Sequence, residues 1–151
     1  MAKRKSLADS PCPVARSLDV VGDRWSMLIV RDAFDGLRRF GEFQASLGAA
    51  RNILSDRLRT LVEEGVLEIA PASDGSAYQE YVLTAKGETL FPVVVALRQW
   101  GEAHLYARGE KHSVLVDRAT GKPLPKALLR LEDGRVVRPA DTLVKKVRAR
   151  P

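Results

Sequence analysis

The stretch "ARNILSDRLRTLVEEG" at residues 50–65 carries two surfaces at once. Leu54, Leu58, Leu61 and Val62 recur at i, i+4, i+7 and i+8, the period of a helix with one core-facing stripe. Asn52, Asp56, Arg59 and Glu63 line the opposite side. Such a polar stripe either faces water, with Asp56 to Arg59 and Arg59 to Glu63 as exposed ion pairs, or faces something with edges to read. Its neighbours in the chain decide between the two.

Upstream, "CPVARSLDVV" at residues 12–21 opens with Pro13, which suits a first helical turn because its missing N–H would be unpaired there anyway. Val14, Leu18 and Val21 share a stripe. After Gly22, Asp23 is positioned to cap a second helix, "RWSMLIVRDAF", with Trp25, Leu28, Ile29 and Ala33 on one face and Gly36 as its stop. A short third helix, "RFGEFQASL", spaces Phe40, Phe43 and Leu47 for one face and ends at Gly48, leaving only residues 48–50 as a turn. Downstream, "VLEIAPA" and "YQEYVLT" read as two strands joined through Asp74-Gly75 in a hairpin. Thr84 then precedes "AKGETLFPVVVALRQWGEAHLY", whose spacing predicts one long helix, apolar at Leu90, Val93, Val94, Leu97, Trp100 and Leu105. A helix with two apolar faces calls for two partners, its own domain and another subunit.

Helix, helix, short helix, turn, amphipathic helix, hairpin is the order of a winged helix-turn-helix, an α+β, mainly α fold whose second paired helix lies in the DNA major groove. The helix at residues 50–65 occupies that reading position. Its stripe then offers Asn52 to adenine, Arg59 to guanine and Asp56 to the exocyclic amine of cytosine. A carboxylate near phosphates repels them, so the better role for Asp56 is to orient Arg59. Ser55 is a helper, and Glu63 is solvated. Arg38, Arg39 and Arg51, the last beside a helix N-terminus, suit phosphates, and the hairpin is the wing. The expected organisation is a flexible basic arm at residues 1–11, the winged domain with its dimerisation helices at 12–112, and a β-rich basic extension at 113–151. In that extension "SVLVDRATGKPL" and "LLRLEDGRVVRP" read as strands with turns, and the closing "VKKVRARP" is expected to fray.

Composition agrees with a soluble chain: 45% of the 151 residues are hydrophobic and 29% charged. No apolar run approaches the roughly 18 residues of a membrane span, and no apolar segment follows the basic residues of "MAKRKSLADSPCPV", so a cytoplasmic location is expected. The formal charge is +6, but residues 1–112 carry 15 Lys/Arg against 15 Asp/Glu, and residues 113–151 carry 10 against 4. A DNA reading of the winged part therefore rests on placement and not on net charge. The extension's excess either adds phosphate contacts or keeps soluble a cover over the long helix; the alternating signs of "DRATGK" and "LEDGR" favour the cover.

The single cysteine, Cys12, excludes an internal disulfide. At a helix N-terminus it is a candidate redox sensor, set against the plainer reading of a small residue at a subunit interface. Trp25 and Trp100 read as packing residues more readily than as the walls of an effector pocket. His104, His112 and Cys12 share no ligand spacing, so no metal is expected. Neither a Gly-rich phosphate loop nor a nucleophile elbow nor paired catalytic carboxylates occur, so neither enzyme chemistry nor a cofactor is expected.

"CPVARSLDVVGDRWSMLIVRDAFDGLRRFGEFQASLG", "NILSDRLRTLVEEGVL" and "YVLTAKGETLFPVVVALRQWGE" together resemble the HxlR family of bacterial transcriptional regulators, MarR-like proteins, over residues 12–104. The resemblance implies a winged-helix homodimer, built largely by the first and last helices, that binds a pseudo-palindromic operator in double-stranded DNA; a repressor is the expected form of such a regulator. Some family members sense oxidants or electrophiles through a cysteine at the place of Cys12. An alternative is therefore a thiol sensor or interaction module acting through Cys12 or the extension, and a small-molecule effector is a third reading. Three features depart from the family pattern. Ala50 stands where a capping Ser is common, a change that typically costs about 0.5–2 kcal/mol. No Arg or Lys lies between Pro71 and Lys86 in the wing, and residues 113–151 fall outside the match.

Overall fold

The computed structural model describes residues 4–147. The chain runs through α1 (Pro13–Val21), α2 (Arg24–Phe34), α3 (Phe40–Leu47) and α4 (Arg51–Glu63), then β1 (Leu67–Pro71), β2 (Gln79–Leu83), α5 (Ala85–Glu88) and α6 (Phe91–His104). By internal packing it divides into Met1–Val94 and Val95–Pro151. The composition shift lies further on, at residue 113.

In the first unit, helix starts and stops follow local chemistry. The Asp23 carboxylate accepts the Ser26 N–H at 2.9 Å and caps α2, a contact worth about 1 kcal/mol. Gly48 closes α3 in the left-handed region at φ 63°, where a side chain would be strained. Ala49 is buried in the turn that follows, so α4 begins close against α3. On α4, Leu54, Leu58 and Leu61 are fully buried with Ile29 and Val30 of α2 and Phe43 of α3, and Trp25 packs on the same core. The strands pair antiparallel, Leu67 opposite Leu83 and Pro71 opposite Gln79. The Tyr81 N–H also donates to the Arg38 carbonyl at 2.7 Å, which ties the hairpin to the start of α3.

The long helix expected after Thr84 is interrupted. Thr84 caps a single turn, its hydroxyl accepting the Gly87 N–H at 3.0 Å, and the chain restarts at Phe91. Pro92 is the cause: it has no N–H to donate to the Glu88 carbonyl, as an unbroken helix would require, and its ring would crowd that carbonyl. The short turn is held by Lys86, whose Nζ donates to the Glu64 carbonyl at the end of α4. Leu90 and Val94 pack on the core, and Phe91 meets Phe34 edge-on at 5.3 Å. At the other end of the unit, the Ser6 hydroxyl and the Leu7 N–H donate to the carboxylate of Asp19 on α1.

In the second unit, the Gln99 amide holds the chain at both ends: its Nε2 donates to the Pro125 carbonyl and its Oε1 accepts the Ala127 N–H. Arg98 donates to the Ser113 carbonyl and hydroxyl. The extension thus covers part of α6. Its β character is less than expected: among the described residues it forms only isolated bridges, Val116 with Pro123 and Arg130 with Val136, and a 3-10 turn at Pro139–Asp141. Pro123, Pro125 and Pro139 lack the N–H groups a ladder needs. Of the end expected to fray, residues 144–151, Val144 to Val147 are exposed and outside any helix or strand, and residues 148–151 lie outside the described residues.

A Cβ on Gly87 would collide with the Val66 carbonyl oxygen, whereas one on Gly41 would meet nothing within 4 Å. Gly87→Ala is therefore expected to destabilise the protein by about 1–3 kcal/mol in urea unfolding. Gly41→Ala, within α3, should leave stability equal or raise it by up to about 1 kcal/mol.

Candidate nucleic-acid interface

With its leucines turned inward, α4 presents Arg51, Asn52, Ser55 and Arg59 outward, all exposed, with Asp56 half-buried beside them. Asn52, Ser55, Asp56, Arg57 and Arg59 line one shallow concavity on this face. The Asp56 carboxylate accepts from Arg59 Nη2 at 2.6 Å, the orienting contact that the spacing suggested. Arg51 lies over the Phe40 ring at 5.0 Å. Ala50 is the N-cap and supplies no side-chain hydrogen bond, so the first N–H groups of α4 keep free donors.

Arg57 was not legible as a member of this site. It lies between the two faces of α4, with Nη1 donating to Asp56 at 2.7 Å and Nε 3.1 Å from the Asp23 carboxylate in an ion pair. Asp23, Arg57, Asp56 and Arg59 thus form one charged chain from the cap of α2 to the outer face of α4. Burial opposes ionisation of Asp23, yet the hydroxyl and N–H of Ser26 together with Arg57 outweigh it and hold the carboxyl below its usual range. No periodic signal marks Arg57, because its partner Asp23 is distant in sequence and only the fold brings them together.

Arg38 and Arg39 stand between α3 and the wing, and each meets a wing carboxylate. Arg38 Nη1 is 3.4 Å from Glu80, whose side chain is only 4% exposed while that of Arg38 is 53% exposed. Glu80 also accepts the N–H and the hydroxyl of Ser73, at 3.0 and 2.9 Å. Those two bonds, with Arg38, hold its carboxyl below the ordinary range. Arg39 donates to Asp74 at 2.5 Å and stacks over Tyr78 at 5.1 Å. The N–H and hydroxyl of Ser76, and then Arg39, depress the Asp74 pKa to about 2. A groove of about 840 Å³ between the starts of α3 and α4 and the hairpin is lined by Arg39, Arg51, Tyr78 and Gln79 among others.

Away from this face, Cys12 is a free, exposed thiol at the N-cap of α1. α1 leaves Val14 and Leu18 exposed, and α6 leaves Val93, Leu97 and Trp100 exposed. Trp100, read from the sequence as a packing residue, is 59% exposed in the chain. Among the described residues, no group of His, Cys, Asp and Glu side chains could hold a metal ion, and no helix is long and apolar enough to cross a membrane.

Three packed helices, a tight turn into an outward-facing fourth, and a two-stranded hairpin tied back to the start of the third define a winged helix-turn-helix protein. A family model for HxlR-like helix-turn-helix proteins matches residues 20–109, and the chain belongs to that family. It is similar to PA1607, a candidate transcription factor of known crystal structure, at 56% identity and a TM-score of 0.88, covering 93% of this chain and 99% of that one. Rv3095 of Mycobacterium tuberculosis, an HTH-type transcriptional regulator of uncharacterised action, is 48% identical over 92 residues, 61% of this chain and 58% of its own. The chain thus spans less than two thirds of that curated relative. The oxidised form of the redox regulator HypR is 32% identical, with a TM-score of 0.58 over 64% of this chain and 100% of that one.

Because the pKa of Glu80 is lowered by folding, its ionised form adds stability that is complete above the usual glutamate value near 4.3 and is lost as pH falls through the depressed value. Glu80→Gln should therefore lower stability at neutral pH and flatten its dependence below about pH 4, as read by urea titrations across acid pH.

Proposed function

We propose that this chain is a sequence-specific DNA-binding transcriptional regulator, a homodimeric repressor of a pseudo-palindromic operator, acting in the cytoplasm. The observation that carries the reading is the outward stripe of α4, with Asn52, Ser55 and Arg59 exposed together and Arg59 braced by Asp56. In this reading Asn52 and Arg59 contact base edges, since these types pair bidentately with adenine and guanine. Arg38, Arg39 and Arg51 contact phosphates. The uncapped N–H groups at the start of α4 are suited to a phosphate as well.

The exposed apolar residues of α1 and α6 support a second copy as their cover, since solvent contact of several large side chains on each helix is unfavourable. A two-fold dimer carries two reading helices and so calls for half-sites about one helical turn apart. Residues 12–112 supply DNA contact and dimerisation in this reading, and residues 113–151 act as a cover whose basic side chains stay solvated.

The test is a footprint on the intergenic DNA flanking the gene. The expected result is two protected half-sites, lost with Leu97→Lys. Arg59→Ala should relax discrimination at particular bases by about 1–3 kcal/mol, while Arg38→Ala weakens binding to all sequences alike. Normal operator binding by Arg59→Ala at matched salt would remove α4 from the base-reading role.

A second reading, regulation through the thiol, is favoured by the exposure of Cys12 at a helix start. HypR, a relative, is itself named a redox regulator. With one cysteine in the chain, oxidation links two subunits or adds a small thiol. Oxidant treatment should then give a crosslinked band on a non-reducing gel, or a mass adduct, together with altered DNA binding. A Cys12→Ser protein that responds to oxidant like the wild type would exclude the thiol as sensor.

A further inference from the structure

The wing tip is the part of the interface that does not fit a simple phosphate-binding role. Residues 72–78, "ASDGSAY", carry one charge, and it is negative. That carboxylate, Asp74, turns back onto the very arginine that sits at the mouth of the groove. Arg39 Nη2 lies 2.5 Å from Asp74 Oδ2 and 3.4 Å from the Ser76 hydroxyl. The other carboxylate oxygen accepts the Ser76 N–H at 2.9 Å, so the turn itself aims the acid at the guanidinium.

The neighbouring pair is built differently. Glu80 is enclosed, held by two bonds from Ser73, and reached by Arg38 only at 3.4 Å, so Arg38 has most of its donors free. Asp74 is 56% exposed and Arg39 30%, with the open groove beside them. A surface pair of this kind is weak and exchanges readily for another anion. Arg39 Nη2 has two N–H groups, and Asp74 and the Ser76 hydroxyl accept from them, so a phosphate meets this nitrogen only by displacing one of the two.

Building on the DNA-binding reading above, we propose that Asp74 occupies the phosphate seat of Arg39 in the free protein and is displaced when duplex DNA docks. The wing tip thereby lowers affinity for the DNA backbone. Two effects act with the same sign: the Arg39 to Asp74 contact has to be given up, and the released carboxylate then faces phosphates with its charge uncompensated. Backbone contacts are the same for every sequence. Weakening them lowers occupancy of random DNA and leaves discrimination to the side chains of α4.

Asp74→Asn isolates the charge, because the amide oxygen can still accept the Ser76 N–H and preserve the turn. Wild type, Asp74→Asn, Arg39→Ala and the double variant are titrated with a labelled mixed-sequence duplex over a series of salt concentrations, with binding read by fluorescence anisotropy. Asp74→Asn should bind roughly 1.5- to 5-fold more tightly than wild type. Its log–log salt slope should steepen by up to about 0.9, one added phosphate contact. The gain should vanish in the Arg39→Ala background, as coupling through that one residue requires. Equal or weaker binding by Asp74→Asn overturns this inference alone, as does a gain that persists without Arg39. A wild-type protein that binds no duplex at any salt overturns the DNA-binding reading along with it.

Discussion

Burial of Leu54, Leu58 and Leu61 sets the roll of α4 about its own axis, and the rest of the interface follows from that angle. All three are fully enclosed with Ile29, Val30 and Phe43, each contributing about 1.5–3 kcal/mol through apolar area removed from water. Successive residues of a helix are about 100° apart. A slip of one position would therefore carry the leucines toward solvent and Arg57 or Arg59 toward the core. The polar stripe is thus oriented by what lies behind it, with no contact of its own needed to hold it outward. Asp56 and Arg57 then settle the side chains on a backbone that is already immobile.

Electrostatics in this part of the molecule is a matter of local pairing. Residues 1–112 have as many acidic as basic side chains, yet the pairs are unequal. Arg39 is matched by Asp74, and Arg57 is shared by Asp23 and Asp56, whereas Arg38 keeps most of its surface in solvent and Arg51 has only an aromatic ring beneath it. Positive charge is left uncovered where α3 and α4 begin. Neutrality over the whole stretch and a basic patch at one edge are therefore compatible.

Much of this was legible in the residues. The Asp23 cap, the Gly48 stop and the leucine stripe are local signals, each decided within a few positions by backbone geometry or by the helical period, and each appears in the structure where the sequence implied it. The departures have two origins. Pro92 and the prolines of the extension act through missing N–H groups, which periodicity does not register, so one long helix became two and the expected strands became isolated bridges. The bond from Tyr81 to the Arg38 carbonyl, the bridge from Arg57 to Asp23 and the grip of Asp74 on Arg39 join residues far apart in the chain. Pairings of that kind have no repeat to find, and only the assembled core brings the partners within reach.

The plain start of α4 has a consequence for dynamics. Ala50 contributes no acceptor, and the first intrahelical bond runs from the Leu54 N–H to the Ala50 carbonyl at 3.0 Å. The amides of Arg51, Asn52 and Ile53 are thus left to water, and their hydrogens exchange with solvent quickly while those deeper in the same helix exchange slowly. A single helix therefore carries its own internal contrast: a protected half that records the stability of the core, and an unprotected end that registers the arrival of any anion.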